Sequence, residues 1–138
     1  MRAVLQRVKW ARVKIGERVA GEIGHGLLIL LGVGKGDTEV LAGVVAKKAA
    51  EMRIFGDDAG KMNLSVLDVK GGCLVVSQFT LFADTKRGRR PFFGDAEPWS
   101  LLAFSGDGKT LALGAFGVAY VHDVASGKEL RRVPSDAK

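Results

Sequence analysis

Leu27-Leu-Ile-Leu-Leu-Gly-Val33 is one apolar run of strand length, and Gly34-Lys-Gly-Asp-Thr38 follows it directly. A strand with one wet face alternates apolar and polar residues, whereas a strand covered on both faces does not. The run therefore predicts a central strand. Asp37 is a residue type that caps helices, Glu39 suits a first turn, and Leu41, Val45, Ala49 and Met52 recur at helical spacing, which predicts a helix over 38–53. A buried strand handed through a glycine-rich turn to an amphipathic helix makes this chain α/β.

Working outward, residues 3–8 and 13–19 alternate like strands, with Gly16-Glu17 at a hairpin turn. Downstream, Asp57-Asp-Ala-Gly60 reads as a turn, 63–69 as a strand, Gly71-Gly72 as another turn and 73–82 as a second buried strand. The expected architecture is layered mixed β-sheets with one covering helix.

A chain of 138 residues is large enough for one proper core. Its single cysteine, Cys73, opens an apolar run and reads as a buried strand thiol, so no disulfide can form within the chain. That fits a reducing cytoplasm, and the alternating first residues lack the apolar block of a signal peptide. The longest unbroken apolar run, Leu27 to Leu31, falls far short of the ~20 residues that a membrane helix needs. A cytoplasmic protein without a membrane partner is expected.

The net charge of +6 and pI near 9.7 favour acidic partners. Cations gather at 2–18, 47–53, 86–90 and 128–132. Gly32-Val-Gly-Lys-Gly36 lies where phosphate-binding loops belong but fits neither known pattern: Asp37 stands where a dinucleotide fingerprint needs glycine, and Gly36 where a P-loop needs Ser or Thr. Ala59 spoils a calcium loop at Asp57, and two distant histidines, His25 and His122, make no zinc set. No metal or cofactor is expected.

Chemistry concentrates in Leu74-Val-Val-Ser-Gln-Phe-Thr-Leu-Phe-Ala-Asp-Thr-Lys-Arg-Gly-Arg-Arg-Pro91. Ser77, Gln78 and Thr80 offer hydrogen-bonding groups beside the cations Lys86, Arg87, Arg89 and Arg90, as RNA or a phosphate ester would require. Neither hydroxyl has an evident base, since His25 sits in a turn-rich loop. An already activated ester asks mainly for fixed donors to a developing oxyanion, and backbone amides near Phe79 and Thr80 could supply them.

Ser77-Gln-Phe-Thr80, with Met1-Arg-Ala-Val-Leu-Gln-Arg-Val8 and Lys61-Met-Asn-Leu-Ser-Val66, resembles the D-aminoacyl-tRNA deacylases. The resemblance covers 1–96 and implies ester hydrolysis on tRNA as chiral proofreading, with a homodimer, the aminoacylated tRNA 3′ end as partner and assistance from the terminal ribose hydroxyl. It makes Ser77, Gln78, Phe79 and Thr80 one half of the site. Arg7 matches a position associated with holding the other half, a Gly-Pro dipeptide reaching across the dimer. This chain has no such pair: Pro91, Pro98 and Pro134 follow Arg90, Glu97 and Val133. His25 also departs from the family pattern.

Residues 99–133 resemble one WD40 repeat, with Asp107-Gly108 and Ser126-Gly127 at hairpin turns, three short strands, and His122-Asp123 in place of Trp-Asp. One blade cannot close a propeller, so 99–138 is read as a β segment without an independent core, joined near 96–99 by recombination, a frame disruption or fusion. The expectation is a deacylase with an impaired site. The alternative is a binding module whose C-terminal strands add to a partner protein's sheet.

Overall fold

The computed structural model describes residues 1–97 and, beyond them, four strands. The first part contains β1 (Arg2–Val8), β2 (Ala11–Ile15), β3 (Arg18–Ile23), β4 (Gly26–Gly32), helix α1 (Glu39–Glu51), β5 (Phe55–Gly56), β6 (Met62–Leu64), β7 (Gly72–Ser77) and a 3-10 turn at Phe79–Phe82. The further strands are β8 (Leu101–Phe104), β9 (Thr110–Ala115), β10 (Val118–Asp123) and β11 (Glu129–Pro134).

The apolar run of β4 does take the centre of a three-stranded sheet ordered β1-β4-β7. β1 runs antiparallel to it with Arg2 opposite Gly32, and β7 runs parallel with Ser77 opposite Leu31. Alternate side chains of a strand face opposite ways, so Leu27, Ile29 and Leu31 share one face and are buried against Ala49, Ala50, Phe55, Val66 and Val75. Leu27 is fully inaccessible, and burial of such a side chain stabilises by roughly 2–3 kcal/mol. Leu28 and Leu30, on the other face, are half-buried, so the cover expected on both faces is complete on only one.

β2 and β3 form the expected hairpin, turning at Gly16 with φ +58, and a bidentate Arg12–Glu22 pair spans it. The helix departs from expectation at its first turn. Thr38, not Asp37, is the N-cap: its hydroxyl accepts from the Leu41 amide at 3.4 Å. Asp37 is held instead by the Gly34 amide at 2.7 Å and by the N-terminal ammonium at 2.5 Å. Ala42, Ala49 and Ala50 are buried and Val45 packs against the core beside them, so of the expected stripe Leu41, in the first turn, is the residue left exposed.

Two predicted strands are shorter than expected. After Leu64, the Asp68 carboxylate accepts from the Ser65 amide at 2.8 Å and the Ser65 hydroxyl at 2.6 Å, curling the chain into a turn that ends at Lys70 with φ +51. β7 stops at Ser77 rather than running to residue 82. The C-terminal strands form a separate antiparallel sheet ordered β11-β10-β9-β8, four strands where three were expected, and β8 lies alongside β7. The turn positions Asp107-Gly108 and Ser126-Gly127 lie outside the described residues. Among those described, no helix is long and apolar enough to cross a membrane.

Candidate active site

The Gln78 amide donates to the Leu31 carbonyl at 2.8 Å, the last rung of the sheet, and the chain then bends. Leu81 bonds back to the Gln78 carbonyl at 3.2 Å and Ala83 to that of Thr80 at 3.1 Å, closing the 3-10 turn. The turn fits only because the end of β4 lacks side chains. A Cβ on Gly32 would lie 2.9 Å from the Gln78 carbonyl oxygen, and one on Gly34 would lie 2.8 Å from the Phe82 ring. Gly32 and Gly34 thus make room for an aromatic ring. Arg2 clamps the turn from β1, donating to the Leu81 carbonyl at 2.8 Å with its guanidinium 4.6 Å from the Phe82 ring centroid.

Within the turn, the Gln78 side-chain amide donates to the Thr80 hydroxyl. With a lone pair so occupied, the hydroxyl is left to donate its own proton outward. Ser77 and Thr80 are both exposed. As the first residues of a helical turn, Phe79 and Thr80 have no internal acceptor for their amides, and among the described residues none is supplied from elsewhere. His25 precedes the opposite end of β4, about 20 Å away at strand spacing, where its ring meets Phe55 edge-on at 5.2 Å. It cannot serve Thr80 as a base.

The four cations follow on a closed loop. Asp84 and Phe92 exchange two backbone bonds of 2.8 and 2.9 Å, the Asp84 carboxylate accepts from the Lys86 amide at 2.9 Å, and Gly88 turns the chain at φ +130. Lys86, Arg87, Arg89 and Arg90 are exposed there, and among the described residues no carboxylate pairs with them. Like charges held together in a short loop repel one another and so favour a polyanion. The loop returns through Phe93, whose ring packs edge-on against Phe79 at 5.1 Å. Lys35 then receives the Asp95 carbonyl on its amide at 2.9 Å, and the Glu97 amide donates to the Val33 carbonyl at 2.8 Å. A cavity of about 370 Å³ opens here, lined among the described residues by Lys35, Phe79, Phe93, Gly94 and Ala96.

The structure thus brings Gln78, Phe79 and Thr80 together beside the base of the cation loop, with Ser77 at the strand end. It does not bring Arg7 to them. Arg7 lies opposite Leu27, five residues along β1 from Arg2, roughly 17 Å from the turn within one chain. Sequence reasoning missed Arg2, Lys35, Phe82 and Phe93; only the paired glycines 32 and 34 signalled that something would lie on that strand end. The segment predicted to be a single strand through Thr80 is strand only to Ser77.

Of the titratable groups displaced from their ordinary range, Asp37 lies in the turn that carries Lys35 and Cys73 lies on β7. Burial works against ionising Asp37, but hydrogen bonds from the N-terminal ammonium and the Gly34 amide, and the ammonium's charge, outweigh it and hold the carboxyl below the usual range. Burial pushes the Cys73 thiol up, as befits a strand thiol packed against the core.

A D-Tyr-tRNA(Tyr) deacylase family model matches residues 4–102. A D-aminoacyl-tRNA deacylase from Roseiflexus sp. (strain RS-1) is 52% identical over 136 residues, covering 89% of this chain and 88% of that relative. Such coverage exceeds what the first 96 residues can supply, so similarity in that pair continues into the region read as a WD40-like repeat. D-aminoacyl-tRNA deacylases from Roseiflexus castenholzii and Thermosipho melanesiensis are 61% and 55% identical, over 75% and 70% of this chain and 66% and 64% of their own lengths. Among solved structures, a c-Myc DNA unwinding element binding protein superposes with a TM-score of 0.65 at 38% identity, covering 71% of this chain and 66% of that one.

Proposed function

Because the chain belongs to the D-Tyr-tRNA(Tyr) deacylase family, we propose that it hydrolyses the ester linking a D-amino acid to the 3′ end of tRNA. The observation that carries the reading is the 3-10 turn after β7, where the amides of Phe79 and Thr80 have no acceptor among the described residues and the Gln78 amide fixes the Thr80 hydroxyl. Donors fixed in advance stabilise the oxyanion that forms as the ester carbonyl is attacked, without reorganising during the reaction. Thr80 acts as an orienting hydrogen-bond donor. The nucleophile is water, assisted by the adjacent ribose hydroxyl, since no histidine among the described side chains adjoins the turn. The loop of Lys86, Arg87, Arg89 and Arg90 attracts the RNA backbone. The working form is a cytoplasmic homodimer, in which Arg7, remote from the turn of its own chain, faces the partner subunit.

The sequence contains no Gly-Pro pair to complete a chiral filter, so discrimination should be weak. Purified protein is expected to release D-tyrosine from D-Tyr-tRNA slowly, with L-Tyr-tRNA cleaved at a comparable rate. Fast cleavage of the D-ester with the L-ester spared would sink the impairment. Absence of cleavage of both would sink the hydrolase reading.

A second reading has support from β11, an edge strand on which Leu130 is 55% exposed. Such an edge can add to a partner protein's sheet. Light scattering after size exclusion tests it: a clean monomer that recruits nothing argues against both dimer and edge pairing.

A further inference from the structure

The turn between β4 and α1 carries a lysine that the proposed hydrolysis does not use. Lys35 lines the cavity beside Phe79 and Phe93. Its backbone is fixed from three sides: its amide meets the Asp95 carbonyl at 2.9 Å, the preceding Gly34 amide meets the Asp37 carboxylate at 2.7 Å, and the Asp37 amide meets the Gly34 carbonyl at 3.1 Å. Gly36 makes the reversal at φ +83. The nearest acid in sequence, Asp37, is engaged by the N-terminal ammonium, and among the described residues no carboxylate pairs with Lys35. The side chain is exposed at the cavity's edge. A cation rooted in a rigid turn, unpaired, next to two aromatic rings and two open amides, is a site for an anionic group attached to a planar one.

Charge decides which part of the substrate that is. An aminoacyl ester carries an α-ammonium, which Lys35 would repel, whereas the terminal nucleotide carries a flat base and, on its 5′ side, a phosphodiester, which Lys35 would attract. A cavity of about 370 Å³ lies in the range of small-ligand sites and suits one nucleoside.

Resting on the deacylase reading, we propose that Lys35 is a positioning residue that binds the last phosphodiester of the RNA, seating the terminal nucleotide so that its ester meets the Phe79–Thr80 amides. Lys86, Arg87, Arg89 and Arg90 then engage phosphates further up the strand, and Lys35 alone reads the one adjoining the reacting nucleotide.

The test is a thermodynamic cycle on binding, which needs no turnover. Short single-stranded RNA ending in CCA, fluorescent at its 5′ end, is titrated with wild-type protein and with Lys35→Gln, Lys35→Arg and, as a control for bulk charge, Lys48→Gln. Each titration is repeated with RNA whose last linkage is an uncharged methylphosphonate. Lys35→Gln should weaken binding of normal RNA roughly 5-fold and lower the salt slope by about 0.7. The neutral linkage should weaken wild type by a similar factor and Lys35→Gln hardly at all, while Lys35→Arg behaves like wild type and Lys48→Gln changes affinity by less than about 2-fold. The proposal is overturned if the penalties of Lys35→Gln and the neutral linkage multiply, if Lys48→Gln weakens binding as much as Lys35→Gln, or if wild type binds no RNA. D-Tyr-tRNA hydrolysis by wild type is scored separately, so failure of the deacylase reading is told apart from failure of the phosphate contact.

Discussion

The two ends of β4 are built from similar material and do opposite work. At its amino end, Gly26 and Gly72 approach so closely that a Cβ on Gly26 would lie 1.9 Å from the Gly72 carbonyl oxygen, and His25 closes on Phe55 ring to ring. At its carboxyl end, Gly32 and Gly34 are equally bare, yet the ring they admit, Phe82, belongs to a turn with two open amides and an exposed hydroxyl, whose Phe79 lines a cavity with Lys35. β4 and β7 are parallel, so both carboxyl ends meet there, as in other α/β sheets where ligands bind beyond the strand ends. Glycine at one end permits packing; at the other it permits a site.

Substitutions can separate these roles. The largest effect is expected from Gly26→Ala, which cannot be accommodated without parting β4 from β7. A loss of about 4 kcal/mol or more, a large share of a typical domain's stability, should appear as insoluble protein or a collapsed urea midpoint. A midpoint near wild type would mean that the amino end is less rigid than its contacts indicate.

Asp37→Asn tests the boundary between the two ends. It removes an ion pair and a charged acceptor for the Gly34 amide, and should cost about 2 kcal/mol at neutral pH. The folded state lowers the Asp37 carboxyl, so its contribution is complete above the ordinary aspartate range near ~3.9 and fades as pH falls through the lowered value. Urea titrations should therefore show wild type and variant converging in acid. A constant gap down to pH 2 would count against the pair.

The smallest effect on stability, and a large one on function, is expected from Thr80→Val. An exposed hydroxyl can be lost within about 0.5 kcal/mol, while removal of an orienting donor should lower deacylation at least ~10-fold. Unchanged turnover would return Thr80 to the role of an ordinary surface residue.

Much of the layout could be read directly from residues. The unbroken apolar run of 27–33 announced a central strand, Gly16-Glu17 announced a hairpin, and Ser77-Gln-Phe-Thr80 beside Lys86–Arg90 announced where polar and cationic groups would gather. The errors have one source. Asp37 looked like a helix cap because local chemistry allows it, but the distant N-terminal ammonium competes for the same carboxylate. Residues 78–82 looked like strand because their apolar content allows it, but the Phe82 ring finds its surface on Gly32 and Gly34 only if the chain turns. Leu41 looked buried by period, but in the helix's first turn it lies outside the core that Val45 and Ala49 reach.

The sequence by itself determined the α/β class, the central position of β4, the basic loop and the family. Tertiary structure alone decided that Thr80 lies on a turn with open amides, that Arg2 braces that turn, and that Lys35 shares a cavity with Phe79. Periodicity and composition act over a few residues, whereas these contacts join positions far apart in the chain, such as Arg2 with Leu81 and Lys35 with Phe79, and exist only once the sheet has set β1, β4 and β7 side by side.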